Sequence, residues 1–240
     1  MSAARIAPLG DCALLVRFGE GIDAALNALA LAAAAALRAA DLPGLREIAP
    51  AYASVCVQYD PCAWIDPAGA QSPHARIALR ISVLVDNVDA PRGASGAAVV
   101  DIPVCYGGDF GPDLDELAGQ ANLPMDEVIK RHSSCEYSVA MLGFAPGFPY
   151  LIGLDPALRA PRRASPRVRV PAGSVAIGGI QTGIYPRELP GGWLLIGRTP
   201  LKLFDPGRKP PALFAPGQRV RFRAIDADKF VVDEFAASPE

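Results

Sequence analysis

Apolar positions in the N-terminal part of the chain switch between the spacing of strands and that of helices. Short strand-like runs occupy residues 5–8, 13–18, 45–50 and 53–60, and Leu9-Gly10-Asp11 predicts a hairpin between the first two. An alanine-rich stretch between Asp23, a capping residue type, and the Asp41–Gly44 turn predicts a helix. Together these elements predict an α+β two-layer domain over residues 1–88.

The segment from Pro73 to Val88 fits two periods at once. Residues 77, 81, 84 and 88 are apolar at helical spacing, whereas residues 77, 79, 81, 83 and 85 alternate as in a strand. The length of the segment and its Ser72-Pro73 start favour a helix.

The pattern changes after residues 89–98, which carry no large apolar side chain and are typical of a linker. Residues 99–106 predict a strand, and two short helices follow. After His132, apolar runs interrupted by glycine and proline predict strands at residues 136–144, 167–173, 174–179, 191–198, 200–205, 218–225 and 228–235. Residues 99–240 are therefore predicted to be a mainly β domain, either a closed barrel or a sandwich.

Composition is that of a soluble globular protein, with 51% hydrophobic and 20% charged residues. A formal net charge of -2 gives no overall field to recruit nucleic acid or an anionic membrane. The N-terminus lacks a basic leader followed by an apolar stretch, so we expect no secretory signal and a cytoplasmic location. Five scattered cysteines and two histidines predict reduced thiols and no metal site.

One local concentration of charge departs from this balance. Five arginines and no acidic residue lie between residues 159 and 169. Guanidinium groups bind carboxylates and other anions, so the run could hold an anionic ligand or partner. A solvated loop leading into a strand explains the same residues, and both interpretations stay open.

Familiar nucleotide, hydrolase and metal motifs are missing from the sequence, including the P-loop and the dinucleotide-binding glycine pattern. Four glycine-rich segments occur instead: CYGGDFGPDL, GFAPGFPYLIGLD, VPAGSVAIGGIQTGIYP and PGGWLLIGRTPLKLFDP. Glycine allows positive φ and close approach of the backbone, so such segments are either ligand sites or corners of a barrel.

Those four segments, with LGDCALLVRFG and EVIKRHSSCEYSVAMLGFAPGFPYL, resemble the allophanate hydrolase subunit 1 family over essentially the whole chain. The family is also called the KipI family or the family of 5-oxoprolinase B subunits. The resemblance implies an N-terminal α+β domain followed by a cyclophilin-like β-barrel. It also implies an allophanate hydrolase subunit 2 type partner, which is the 5-oxoprolinase C subunit, together with an A subunit.

The resemblance implies three functions. The leading one is the B subunit of a bacterial ATP-dependent 5-oxoprolinase, which converts 5-oxo-L-proline to L-glutamate and which we expect to be inactive without its partner subunits. ATP suits this reaction because an unstrained lactam is a poor electrophile, and we expect the nucleotide to be bound by or shared with those partners. The alternatives are a KipI-like inhibitor of a sensor histidine kinase and a component of a urea carboxylase or allophanate hydrolase system.

Candidate site residues come from the same segments. His132 is the candidate catalytic residue because its ordinary pKa suits proton transfer, although a helix-terminal structural role explains it equally well. Amide, hydroxyl, aromatic and guanidinium side chains beside the glycines are candidates for substrate or partner binding. These are Phe144, Phe148, Tyr150, Arg169, Gln181, Thr182, Tyr185 and Arg198, of which Arg169 and Arg198 are expected to meet the substrate carboxylate.

Overall fold

A computed structural model describes residues 4–89 and 98–230 of the chain. The described residues divide into two compact units, one within residues 1–95 and the other within residues 96–240. Residues 90–97 of the predicted linker lie outside the described residues. Of the helices in the described ranges, none has both the length and the apolar composition needed to cross a bilayer.

The N-terminal unit consists of a four-stranded sheet and two helices. Its elements are β1 Arg5–Pro8, β2 Ala13–Arg17, α1 Ala24–Ala39, β3 Leu45–Pro50, β4 Ser54–Tyr59 and α2 Pro73–Val85, with a short 3-10 helix at Pro61–Trp64. The strands lie in the order β1-β2-β4-β3, and every neighbouring pair is antiparallel.

Side-chain caps start both helices of this unit. Asp23 accepts hydrogen bonds from the backbone N–H groups of Ala25 and Leu26, and the Ser72 hydroxyl accepts one from Ala75. The segment that fitted two periods is therefore helix α2, as its Ser-Pro start predicted. Its buried stripe packs with α1 and the sheet in one core that includes Leu14, Val16, Leu37, Val55, Val57, Ile77, Ile81 and Val85.

A closed barrel forms the centre of the C-terminal unit. The elements are β5 Val100–Tyr106, α3 Leu114–Ala121, α4 Met125–Ser134, β6 Tyr137–Leu142, β7 Pro149–Ile152, β8 Arg167–Val170, β9 Ser174–Gly178, β10 Gln181–Ile184, β11 Leu189–Gly191, β12 Leu194–Arg198 and β13 Arg219–Ala224. Short 3-10 helices lie at Pro156–Leu158 and Ala227–Lys229. The barrel order is β10-β7-β6-β13-β5-β12-β9, which confirms the predicted barrel over the sandwich.

Alternation along the strands separates two apolar clusters in this unit. Val175 and Ile177 point into the barrel, whereas Ala176 between them points outward, as successive strand residues must. Helices α3 and α4 supply Leu117 and Val128 to the inner cluster. Outside the wall, the separate two-stranded ribbon β8–β11 and the turn between β6 and β7 cover a smaller cluster of Ala145, Phe148, Val170, Ala176, Tyr185, Trp193 and Leu195.

Two predicted strands need correction. Residues 200–205 form no regular strand: Phe204 makes only an isolated antiparallel bridge with Ala212, and Leu203 is buried against the barrel core. The strand predicted at residues 228–235 begins in the 3-10 helix Ala227–Lys229, and residues 231–235 lie outside the described part of the chain.

Three short strands were not predicted, two of them inside glycine-rich segments and the third across the start of one. These are β7, β10 and β11, each three or four residues long. Because glycine and proline depress strand propensity, cross-strand pairing and burial must compensate, and neither is visible in a local pattern.

Candidate functional site

A groove of about 280 Å³ opens on the outer side of the barrel wall. Phe144, Phe148, Tyr150, Tyr185 and Trp193 form its aromatic lining. The remaining lining consists of Arg162 and Arg163 with the proline and glycine residues at positions 166 and 190–192. The groove therefore lies between the turn that joins β6 to β7, the loop before β8, and β11.

Phe148 is the centre of the aromatic lining. Its ring centroid lies 4.8 Å from that of Tyr150, 5.2 Å from Tyr185 and 5.9 Å from Trp193. The contacts with Tyr185 and Trp193 are edge-to-face, an arrangement favoured by the ring quadrupoles. Since these three partners also contact the barrel wall through the outer cluster, the walls of the groove are held in place before any ligand arrives.

Glycines on neighbouring strands make room for this lining. A Cβ at Gly178 on β9 would lie 2.6 Å from ring atoms of Trp193, and a Cβ at Gly191 on β11 would lie 2.2 Å from the Tyr185 hydroxyl oxygen. The glycine-rich sequence at these positions is thus explained by close approach of aromatic rings to the backbone.

Phe144 differs from the other aromatic residues in being exposed, with 61% of its surface accessible. Its φ is 66°, in the left-handed region that costs a non-glycine residue of order 1 kcal/mol or more. The ring still contacts Phe148 edge-on at 5.5 Å. A strained backbone thus holds an exposed aromatic ring at the rim of the groove.

A buried carboxylate fixes the cationic side of the groove. Asp113, directly before α3, accepts two short hydrogen bonds from the Arg167 guanidinium at 2.6 and 2.7 Å and one from Arg163 at 3.1 Å. The backbone N–H of Leu195 donates to the same carboxylate at 2.7 Å. This network joins α3, the loop before β8, β8 itself and β12.

Arg162 lies over the ring of Trp193, with its guanidinium carbon 5.9 Å from the ring centroid. Burial raises the pKa of both Tyr185 and Tyr150, while the nearby Arg162 charge acts in the opposite direction. Both phenols are therefore neutral near pH 7. The Tyr185 oxygen also accepts a hydrogen bond from the backbone N–H of Trp193.

The predicted catalytic residue His132 lies in the barrel core and not in the groove. Its side chain is fully buried and stacks on Phe222 with 4.4 Å between ring centroids. Nδ1 lies 2.7 Å from the Tyr106 hydroxyl and Nε2 lies 3.1 Å from Thr182 Oγ1. Thr182 donates its own proton to the Ala176 carbonyl, so Nε2 carries the histidine proton and Nδ1 accepts from Tyr106.

Burial lowers the pKa of His132 to about 3. A neutral imidazole with both nitrogens hydrogen-bonded inside a core has no path to a substrate in the groove. The catalytic role stays a prediction that this geometry does not support.

The other predicted residues separate into two groups. Phe144, Phe148, Tyr150 and Tyr185 meet in the groove, whereas Gln181 and Thr182 are buried in the barrel wall on β10. Arg169 is 80% exposed and lies 3.6 Å from Glu188, and Arg198 donates through Nε to the Ala172 carbonyl at 2.7 Å. Neither arginine lines the groove.

Sequence reasoning missed Trp193, Arg162 and Arg163 as groove residues. The available signals were the glycine pair before Trp193 and the arginine run. The arginine run indicated that an anion could bind there. It did not indicate which arginine would remain without a carboxylate partner.

The groove is poorly suited to a nucleotide. The groove is small and has two arginines, one of them committed to carboxylates, whereas nucleotide phosphates are usually cradled by several backbone N–H groups and cations. Within residues 4–89 and 98–230, no three histidine, cysteine or acidic side chains are grouped as metal ligands.

Comparison with known proteins places these features in a family. The family described as "Carboxyltransferase domain, subdomain C and D" matches residues 4–214. The Bacillus subtilis (strain 168) protein named as the B subunit of 5-oxoprolinase is 45% identical in an alignment of 227 residues that covers 92% of each chain.

Solved structures give the same picture of the fold. The crystal structure of TTHA0988 is 42% identical with a TM-score of 0.74, covers 90% of this chain, and is itself covered to 40% of its length. Kluyveromyces lactis urea carboxylase has a TM-score of 0.74 over 95% of this chain and 22% of its own length. At 19% identity, that second likeness shows the fold alone.

Proposed function

Because this chain belongs to the family of the carboxyltransferase domain, subdomains C and D, and its relatives include a 5-oxoprolinase B subunit, we propose that it is the B subunit of a 5-oxoprolinase complex. The reaction is the ATP-dependent opening of the lactam ring of 5-oxo-L-proline to give L-glutamate. The observation that carries the proposal is the 45% identity to the Bacillus subtilis protein, which extends over 92% of both chains.

The groove supports this proposal through its chemistry. Its aromatic walls suit the flat face of a small ring, and its cationic side suits a carboxylate. At about 280 Å³ it lies at the small end of ligand pockets, in keeping with a single-ring substrate.

The proposal includes the partners and the nucleotide. A hydrolase that works as a complex has at least one other component. The proposed partners are the allophanate hydrolase subunit 2 type protein, which is the 5-oxoprolinase C subunit, and the A subunit. Since the groove fits a nucleotide poorly, we assign ATP to the partner subunits or to a site shared with them. The chain alone is therefore inactive in this proposal. The proposed location is cytoplasmic. The barrel is of the cyclophilin-like type.

Reconstitution tests the proposal. The full-length chain is co-expressed with candidate A and C subunits, and L-glutamate release from 5-oxo-L-proline is measured with and without ATP. We expect release only when every component and ATP are present, and none when this chain is left out. Equal ATP-dependent release in the presence and absence of this chain would remove it from the enzyme.

The two alternative functions stay predictions. The likeness to urea carboxylase is one of fold, and no feature of the groove favours urea over a lactam. The kinase-inhibitor alternative has no specific geometric support in the described residues.

A further inference from the structure

The arginines near the groove differ in whether an acidic side chain already neutralises them. Arg163 lies 3.1 Å from Asp113 and 3.3 Å from Glu116, and Arg167 binds Asp113 through two nitrogens. Arg169 lies beside Glu188. Within the described residues, Arg162 forms no ion pair with a carboxylate, and its guanidinium instead lies over Trp193.

The groove that Arg162 borders contains no acidic side chain among the described residues that line it. Its two tyrosines are neutral near pH 7 because burial raises their pKa values. Arg162 is exposed, and no carboxylate among the described lining residues opposes its positive charge beside the aromatic wall of the groove. An anion gains both the guanidinium and a flat apolar surface there, whereas a cation gains only the ring faces and is repelled by Arg162.

Phe144 gives a second, independent indication that the groove takes a ligand. Its backbone has a positive φ, and its ring is exposed at the rim instead of buried in the outer cluster. Local strain of this kind persists where the surrounding structure enforces it, and it is concentrated at binding and active sites. A ligand ring lying on Phe148 and Trp193 would bring Phe144 into contact and bury it.

We propose that Arg162 holds the carboxylate of a small ring-shaped ligand whose flat face lies against Trp193 and Phe148. The ligand class is a cyclic carboxylate, and its assignment as 5-oxo-L-proline rests on the proposed function. This assigns the carboxylate to Arg162 and not to Arg169 or Arg198, which lie outside the groove. Arg163 is a positioning residue, since its contacts with Asp113 hold the loop that carries Arg162.

Binding is measured on the full chain by ¹H–¹⁵N NMR of the tryptophan indoles. The chain has two tryptophans, so Trp193 reports on the groove and Trp64, in the other unit, is an internal reference. Three probes separate the two functional groups of the ligand. 5-oxo-L-proline has both the lactam and the carboxylate, cyclopentanecarboxylate has only the carboxylate, and 2-pyrrolidinone has only the lactam. We expect both carboxylates to shift the Trp193 signal. The affinity of 2-pyrrolidinone should be lower than theirs by a factor of about 10 or more.

Arg162→Gln removes the charge and keeps a polar, although shorter, side chain. It should weaken binding of both carboxylates by about 10- to 100-fold and leave 2-pyrrolidinone nearly unchanged. Arg159→Gln is the matched control, because Arg159 is exposed on the same loop but does not line the groove. Phe144→Asn, which suits a positive φ, should weaken all three ligands without unfolding the protein.

The reconstituted complex provides a second readout. Arg162→Gln should raise the KM for 5-oxo-L-proline by about 10-fold or more, with a smaller effect on kcat. An unchanged KM together with an unperturbed Trp193 signal would overturn the inference while leaving the proposed function intact. Equal weakening by Arg162→Gln and Arg159→Gln would also overturn it.

Failure of the proposed function has a different signature. In that case the wild-type complex releases no L-glutamate, yet the carboxylates still shift Trp193 in a manner that depends on Arg162. That result would keep the carboxylate site and remove the 5-oxoprolinase assignment.

Discussion

The imidazole of His132 lies between Tyr106, Thr182 and Phe222, where both ring nitrogens have hydrogen-bond partners inside the barrel. Its backbone carbonyl also accepts a hydrogen bond from the Tyr137 hydroxyl at 2.9 Å. Burial raises the pKa of Tyr106, so this phenol remains a donor throughout the ordinary pH range. At the residue scale, His132 joins the end of α4 to the barrel through neutral hydrogen bonds.

This arrangement predicts a pH dependence of stability. The pKa of His132 is about 3 in the folded state and near 6.5 when unfolded, so the unfolded state binds an additional proton as the pH falls below 6.5. Above pH 6.5 the imidazole is neutral in both states and does not reduce stability. Below that pH stability falls, because the unfolded state takes up a proton that the folded state does not. From pH 7 to pH 5 we expect the free energy of unfolding to fall by about 2 kcal/mol on this account.

Urea denaturation at pH 7 and pH 5, followed by Trp193 fluorescence in a Trp64→Phe background, measures the effect. His132→Gln should be less stable at pH 7, because buried partners lose a hydrogen bond, but should lose less further stability on acidification. An identical loss in both proteins between the two pH values would contradict the assignment of the buried neutral imidazole.

Among the elements, strands β9 and β11 show how backbone shape creates the groove. Gly178 leaves space for the Trp193 ring on the outer face of the barrel, and Gly191 leaves space for the Tyr185 hydroxyl. Aromatic rings can therefore pack directly on strand backbone. The exposed glycine of α3, Gly119, has no neighbour within 4 Å of an added Cβ and serves no such purpose.

The two kinds of glycine should respond oppositely to alanine. Gly178→Ala would place a Cβ 2.6 Å from the Trp193 ring, so either the ring or β9 must move, at a cost of about 1–3 kcal/mol. Gly119→Ala should raise stability by up to about 1 kcal/mol through helix propensity. Thermal denaturation of both variants, with the Trp193 indole signal as a local reporter, tests this; a Gly178→Ala protein as stable as Gly119→Ala would refute it.

Across the C-terminal unit as a whole, Asp113 connects parts of the chain that are far apart in sequence. Its carboxylate is only 4% exposed and is shared among Arg163, Arg167 and the backbone N–H of Leu195. The network holds the loop before β8 and the β8–β11 ribbon against the barrel, and that ribbon borders the groove. Removing the charge leaves two guanidinium groups facing each other without their shared partner.

Asp113→Asn should therefore lower the free energy of unfolding by about 3 kcal/mol, because breaking a buried ion pair leaves uncompensated charge. Glu116→Gln is the matched control: its carboxylate also contacts Arg163, but it is 45% exposed and should contribute less than about 0.5 kcal/mol. Urea denaturation of both variants is the measurement. Similar losses in the two proteins would show that the buried carboxylate does not organise this region.

Much of the fold could be read from local patterns. The cap and Pro73 predicted α2, the Leu9–Asp11 turn predicted the hairpin, and the regular spacing of apolar runs predicted a barrel or a sandwich, of which the family resemblance implied the barrel. The resemblance of the glycine-rich segments also identified the family. Apart from the closure of the barrel, these features depend on interactions over a few residues or on motifs in order along the chain, so sequence alone carries them.

The site depended on contacts between distant residues. Which arginine keeps an unneutralised charge is decided by Asp113, which lies 50 residues before Arg163 and 54 before Arg167. Which strand residues face the groove is decided by register and barrel closure, and His132 became a core residue because Thr182 and Phe222 surround it. The residue types of the groove are present in the sequence, but their charge state, their orientation and the residues that surround them are set only by the tertiary structure.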